Sequence, residues 1–141
     1  MKHAFTISII IALLAFGPLQ AQGQSLPTTW PGPDAAQVSG VLGEPGKELF
    51  GVRFTAIDGR NISPRDSLWL EPGTYTLKVA IDAAHVRRPP QYSSRFRRED
   101  PSYNEIELEL EAGRTYEIRA RYDRSDRDQP YSIVLHQILQ R

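Results

Sequence analysis

Strict alternation between apolar and acidic side chains over residues 104–111 is the feature that most limits how this chain can fold. Ile106, Leu108 and Leu110 alternate with four glutamates. Successive side chains of a β-strand point to opposite faces, so this spacing predicts a strand with one buried face and one solvated face. No long stretch carries apolar residues at the spacing of an amphipathic helix. The pattern therefore predicts an all-β protein.

The same period of two recurs along the chain and predicts the remaining strands. They are separated by turn-forming residues such as Asp58-Gly59 and by one longer connection. Short connections between strands favour a single antiparallel β-sandwich or open barrel of about six to seven strands over residues 47–141. The other predicted strands cover residues 49–57, 67–70, 75–82, 116–122 and 131–138.

Two turns predict which strands are neighbours. Residues 71–74 place Pro and Gly where a type II turn needs them, and Ala112-Gly113 supplies a second tight turn. If both turns close hairpins, apolar side chains pair on one face and opposite charges pair on the other. The last strand is apolar on both faces, which predicts a central or covered position. The predicted pairs are Leu70 with Tyr75, Leu68 with Leu77, Leu110 with Tyr116, Glu107 with Arg119 and Glu105 with Arg121.

The N-terminus, residues 1–21, has the layout of a secretory signal peptide. Lys2 precedes a short apolar run, which ends at Gly17 and Pro18 before small residues. That run is shorter than the roughly 20 residues that span a bilayer, although an uncleaved anchor or a buried helix are the alternatives. We expect cleavage after Ala21 or Gly23, a periplasmic or secreted location and no transmembrane segment in the mature chain.

Cysteine usage and charge narrow the class of protein further. The chain has no cysteine, so it has neither a lipid-modified cysteine nor a disulfide. It has 17 basic and 17 acidic residues, and loss of Lys2 with the signal leaves an excess of one acidic residue. This balance predicts no nucleic-acid partner, and the strand pattern predicts folding without a cofactor.

Residues 22–46 differ in composition from the rest of the mature chain. They contain four prolines, five glycines and few large apolar side chains. Such a segment cannot form much core, so we predict a flexible lead-in, with residues 38–42 at most a short edge strand or half a helical turn. Trp30 is its one anchor candidate, either packed on the folded domain or available to a partner.

Two similar segments suggest a family. Residues 70–79 read LEPGTYTLKV and residues 110–119 read LEAGRTYEIR. The first resembles the hairpin of PEGA-type and carboxypeptidase-regulatory-like domains, which are small transthyretin-like β-sandwiches of surface and envelope proteins. With the strand at residues 52–59, the order over residues 48–138 resembles that of uncharacterised bacterial envelope proteins and lipoproteins. The resemblance implies a transthyretin/immunoglobulin-like fold and an envelope location, but no catalytic residues. The missing cysteine is a departure from the lipoproteins.

Catalytic and metal motifs are absent from the sequence. His85 and His136 are the only histidines after the signal, and no H-E-x-x-H, C-x-x-C or G-x-S-x-G occurs. An enzyme would need one of these histidines in a cleft beside a carboxylate. Asp123, Asp126 and Asp128 could attract Ca²⁺, but the glycine and glutamate of an EF-hand are missing, which favours an ordinary hairpin tip.

The longest connection, residues 85–102, carries the one local excess of positive charge. Arginine forks beside aromatic rings suit phosphate, carboxylate or sugar-acid groups, through bidentate hydrogen bonds and stacking. The alternative is a solvated crossover whose charge is partly neutralised by Glu99 and Asp100. The candidate ligand-binding residues are Arg87, Arg88, Tyr92, Arg95, Phe96, Arg97 and Arg98.

Three classes of function follow from these features. The first is a non-catalytic envelope binding module that recognises an anionic lipid, a glycan or a protein through the arginine loop. The second is a structural or assembly module that docks onto an envelope complex through its sheet edges or through Trp69. The third is a hydrolase built around one of the two histidines.

Overall fold

The computed structural model describes residues 25–82, 104–127 and 129–141. This part of the chain forms nine β-strands and one short 3₁₀ helix, Pro45–Lys47, with no α-helix. The prediction of an all-β fold is therefore confirmed, with more strands than expected. The strands are β1 (Ala36–Ser39), β2 (Leu49–Phe50), β3 (Val52–Ile57), β4 (Arg60–Arg65), β5 (Ser67–Leu70), β6 (Gly73–Ile81), β7 (Glu105–Leu110), β8 (Arg114–Tyr122) and β9 (Tyr131–Gln140).

The strands form two sheets that are mostly antiparallel. In sheet A, β8 pairs on one side with β2 and β1, β5 follows β1, and β9 pairs with the other side of β8. The exception to antiparallel pairing is β1, which runs parallel to β8. Sheet B has the order β4, β3, β6, β7. This arrangement agrees with the predicted small β-sandwich or open barrel.

Apolar side chains from both sheets form one core. Leu70 of sheet A and Leu77 of sheet B are fully buried, as period-two alternation requires. In β3 the alternation breaks, because a bulge between Phe54 and Ala56 shifts its register against both neighbouring strands. Such a bulge changes which face the following residues point to, so Ala56 and Ile57 are buried one after the other.

The predicted hairpin pairings are wrong, because both turns carry the chain from one sheet to the other. Leu70 at the end of β5 pairs with Ala36 of β1, and β6 pairs with β3 and β7. Glu107 lies opposite Thr76 and Glu105 lies opposite Lys78, with 4.0 Å between the Lys78 Nζ and Glu105 Oε1 atoms. The alternation correctly gave the buried face of β5, β6 and β7, but it carries no information on the neighbouring strand.

The segment predicted to be a flexible lead-in, residues 22–46, contributes a central strand instead. Strand β1 lies between β5 and β8, and Ala36 and Val38 are fully buried. Its side chains are small, so the composition gave little sign of core formation. Gly40 then allows a close approach to β3, since the Val52 N–H donates to the Gly40 carbonyl oxygen over 2.9 Å.

The last strand also differs from its prediction. Strand β9 was expected to be central or covered, but it lies at an edge of sheet A and pairs only with β8 in the described residues. Leu135, Ile138 and Leu139 are 37%, 46% and 42% exposed. Apolar side chains on both faces of β9 therefore do not reflect a buried position in the sheet.

Candidate functional site

The candidate site is the free edge of β9. Nine residue pairs join β9 to β8, from Tyr131 opposite Tyr122 to Gln140 opposite Arg114. No strand in the described ranges pairs with its second side. Ten residues at about 3.4 Å each give an edge about 34 Å long, whose outward N–H and C=O groups pair with no strand of the described residues.

Side chains along β9 are suited to a strand and carry no charged group that would oppose a neighbour. The sequence from Tyr131 to Gln140 is rich in Ile, Val and Leu and contains no Lys, Arg, Asp, Glu or Pro. One bulge, opposite Glu117 and Ile118, inserts His136 as an extra residue. Such a segment pairs readily with a further strand.

The other edges of the two sheets carry the features that prevent such pairing. Strand β4 has Arg60, Pro64 and Arg65, whereas β7 carries a glutamate at every second position. The side of β5 away from β1 is covered, because the Thr29 N–H donates to the Trp69 carbonyl oxygen over 2.9 Å. Charges, proline and covering segments are the usual protection of edge strands, and β9 has none of them in the described part of the chain.

A chain of polar side chains holds β9 in sheet A. The Gln137 Nε2 group donates to Glu117 Oε2 over 2.8 Å, and the Arg119 guanidinium contacts the same carboxylate at 3.4 Å. Arg119 is only 6% exposed and also donates to the Ser39 carbonyl oxygen of β1. A buried charge is stabilised by such partners, so the network links β9, β8 and β1.

An aromatic cluster fixes the first residue of β9. The Tyr131 ring lies edge-on to Phe50, with centroids 6.1 Å apart, and 5.0 Å from the Tyr122 ring. The Tyr131 hydroxyl is buried and has no hydrogen-bond partner among the described residues. Burial raises the pKa of this hydroxyl above its ordinary value.

Two Tyr→Phe substitutions are expected to change stability in opposite directions. Tyr131→Phe removes an unpaired buried hydroxyl, so we expect the free energy of unfolding to rise by up to about 1 kcal/mol. Tyr116→Phe removes the hydroxyl that accepts the Glu111 N–H over 2.8 Å, so we expect a loss of about 1 kcal/mol. Urea unfolding followed by circular dichroism measures both, and equal losses would contradict the assignment of Tyr131 as unpaired.

Tyr131→Phe is also expected to change how stability depends on pH. Because folding raises the pKa of Tyr131, the folded state disfavours its phenolate, and this contribution to stability is present below about pH 10 and falls as the pH rises further. Tyr131→Phe is therefore expected to weaken the fall in stability above pH 10. A fall identical to that of the unchanged protein would contradict the assignment.

The residues predicted as a ligand site do not enter this geometry. Arg87, Arg88, Tyr92, Arg95, Phe96, Arg97 and Arg98 lie outside the described residues, as does His85. His136 is exposed on β9, near enough to Glu44 to contribute to the lowered pKa of that carboxyl, whose main cause is the hydrogen bond from Lys47. Within the described ranges, no three His, Asp or Glu side chains are grouped as metal ligands.

The connection between β8 and β9 is a hairpin tip, as predicted. The Asp123 carboxylate accepts hydrogen bonds from the Ser125 N–H and hydroxyl, at 2.8 and 2.6 Å, which lower its pKa. Asp126 accepts the Gln129 N–H in the same manner, while Asp128 lies outside the described residues. These side chains serve the turn itself.

Comparison with models of known families, with curated proteins and with solved structures finds no match. Among the described residues, no helix has both the length and the apolar composition needed to cross a bilayer. Sequence reasoning missed the free edge of β9, although the absence of charge and proline over residues 131–140 was a signal for it.

Proposed function

We propose that this protein is a non-catalytic module of the bacterial envelope, exported by its N-terminal segment, that docks onto a partner protein by strand addition. The site is the free edge of β9. The observation that carries the proposal is the contrast between β9, which has neither charge nor proline over ten residues, and the protected edges β4 and β7. This proposal develops the second class of function that the sequence suggested.

Strand addition fits the chemistry of this edge. A partner strand supplies hydrogen bonds to the outward backbone groups of β9, and each such bond contributes about 0.5–1.5 kcal/mol net. Leu135, Ile138 and Leu139 gain apolar contacts at the same time, which gives the pairing side-chain specificity. Because residues 131–140 contain no Lys, Arg, Asp or Glu, we expect the binding to be insensitive to salt.

The arginine loop remains a second proposal, carried by its composition. Five arginines and two aromatic residues in residues 85–102 suit an anionic lipid or glycan. Binding through these arginines would weaken as salt rises, because exposed charges are screened over about 10 Å at 0.1 M ionic strength. Salt dependence therefore separates the two proposals in one experiment.

Charged substitutions on β9 test the docking edge. We expect the purified protein to co-sediment with outer-membrane or peptidoglycan fractions of its own cells at low and at high salt. Ile138→Lys with Leu139→Lys places one lysine on each face of the strand, and we expect it to weaken pelleting at least about tenfold. Both positions are partly exposed, so the folded state should tolerate the change.

The matched control is Val41→Lys with Leu42→Lys, which makes the same charge change at two exposed apolar residues outside the strands. We expect this control to pellet like the unchanged protein. Replacing Arg95, Arg97 and Arg98 by Gln gives the third arm, which should leave salt-insensitive pelleting unchanged. Pelleting that is lost in high salt and in the arginine variant, but retained by the β9 variant, would overturn the proposal in favour of the arginine loop.

A further inference from the structure

A groove lies at the opposite edge of sheet A from β9. The N-terminal segment, β4 and β5 enclose an open groove of about 710 Å³, which is within the size range of small-molecule sites. Residues 26–31 form one wall, and residues of β4 and β5 form the other. The groove thus lies where the lead-in segment covers the edge of β5.

Both tryptophans of the chain line this groove. Trp30 is 87% exposed, an unusual state for the largest apolar side chain. Trp69 is half-buried and fixed, since the Arg141 guanidinium stacks over its ring at 4.4 Å from the centroid. Arg141 also donates to the carbonyl oxygens of Ala35 and Gly32, so it ties β5 to the loop that follows Trp30.

The polar part of the lining offers free hydrogen-bonding groups. The side chains of Thr28, Asn61 and Ser63 make no hydrogen bond to any other described residue. Arg65 adds a guanidinium with five donors, and no acidic residue lines the groove. The groove therefore combines an exposed aromatic ring, neutral donors and acceptors, and one positive charge.

We propose that this groove binds a carboxylate-bearing saccharide. A pyranose ring has an apolar C–H face, which stacks on the open face of Trp30, and a rim of hydroxyls, which suits Thr28, Asn61 and Ser63. The Arg65 fork matches the two oxygens of a carboxylate. A purely apolar ligand would leave these polar groups unpaired, so the mixed lining favours the saccharide.

The saccharide site is independent of strand addition. Strand β9 forms one edge of sheet A, whereas β5, bridged to Thr28, forms the other. Both sites can be occupied together, and loss of one leaves the other intact. The failure of this inference is thus distinguishable from the failure of the proposed docking edge.

Intrinsic fluorescence reports directly on this groove, because the chain has no tryptophan elsewhere. The probes are oligosaccharides that contain uronic, sialic or muramic acid, each paired with an uncharged counterpart of the same linkage. We expect at least one acidic member to shift the emission saturably at concentrations up to about 1 mM, and its neutral counterpart to bind roughly tenfold more weakly.

Variants with matched controls complete the test. We expect Trp30→Ala to weaken binding of the acidic saccharide at least about tenfold, measured by calorimetry, with Leu42→Ala as the exposed control outside the groove. Arg65→Gln should remove the preference for the acidic member, whereas Arg121→Gln on β8 should keep it. No shift with any acidic member, binding that ignores Trp30→Ala, or a proline-rich peptide binding in place of the saccharides would each overturn the inference.

Discussion

Gly40→Ala is expected to lower the free energy of unfolding by about 3 kcal/mol or more. A Cβ atom at residue 40 would lie 2.0 Å from the Val52 carbonyl oxygen and 2.7 Å from the Val52 Cγ2 atom. The backbone cannot move aside easily, because both backbone groups of Gly40 are hydrogen-bonded. The Gly40 N–H donates to the Asp66 carbonyl oxygen over 2.8 Å, and the Gly40 carbonyl oxygen accepts the Val52 N–H. Relief of the clash would therefore break the hydrogen bond between Gly40, just after β1, and Val52 of β3.

The matched control for this glycine is Gly46→Ala in the 3₁₀ helix, where an added Cβ meets no atom within 4 Å. We expect the free energy of unfolding of this variant to stay within about 0.5 kcal/mol of the unchanged protein. Urea unfolding followed by circular dichroism compares the two. If Gly40→Ala had the same free energy of unfolding as Gly46→Ala, that result would contradict the close approach of Gly40 to Val52 of β3.

The strand positions could be predicted from the sequence better than their partners. Residues 104–111 were correctly expected to form a strand, and Leu108 and Leu110 are buried as their spacing requires. The strand predicted to pair with these residues was wrong, because a tight turn such as Ala112-Gly113 connects strands of one sheet or of two sheets equally well. Pairing depends on contacts between distant segments, and these leave no periodic signal in either strand.

Small or polar strands escaped prediction for a different reason. Strand β1 buries Ala36 and Val38, which are too small to give a strong apolar pattern, and β4 contains Pro64, which argues against a strand interior. The site was missed for a related reason, since an apolar run such as β9 fits a buried strand and an open edge equally well. The sequence indicated Trp30 and Trp69 as candidate contacts with a partner, but it did not indicate that the two residues line one groove.

Both proposed sites depend on the lead-in segment, which supplies β1 to sheet A and covers the edge of β5. Residues 27–29 cover β5, and β1 supplies the Ser39 carbonyl oxygen to Arg119, whose partner Glu117 holds Gln137 of β9. Loss of β1 from the sheet would therefore disturb the groove and the docking edge together. A substitution in the core below β1 is expected to weaken both.

Leu70→Ala is expected to lower the free energy of unfolding by about 2–5 kcal/mol, which is a large part of the 5–15 kcal/mol of a typical domain. Leu70 is fully buried, pairs with Ala36 of β1 and is bridged to Thr28, so its side chain lies where the lead-in segment meets the core. Truncation leaves a cavity that neighbouring strands can fill only in part. Leu42→Ala makes the same chemical change at a residue that is 80% exposed, and we expect a change within about 0.5 kcal/mol. Similar losses in the two variants would mean that the lead-in segment is not part of the folded core.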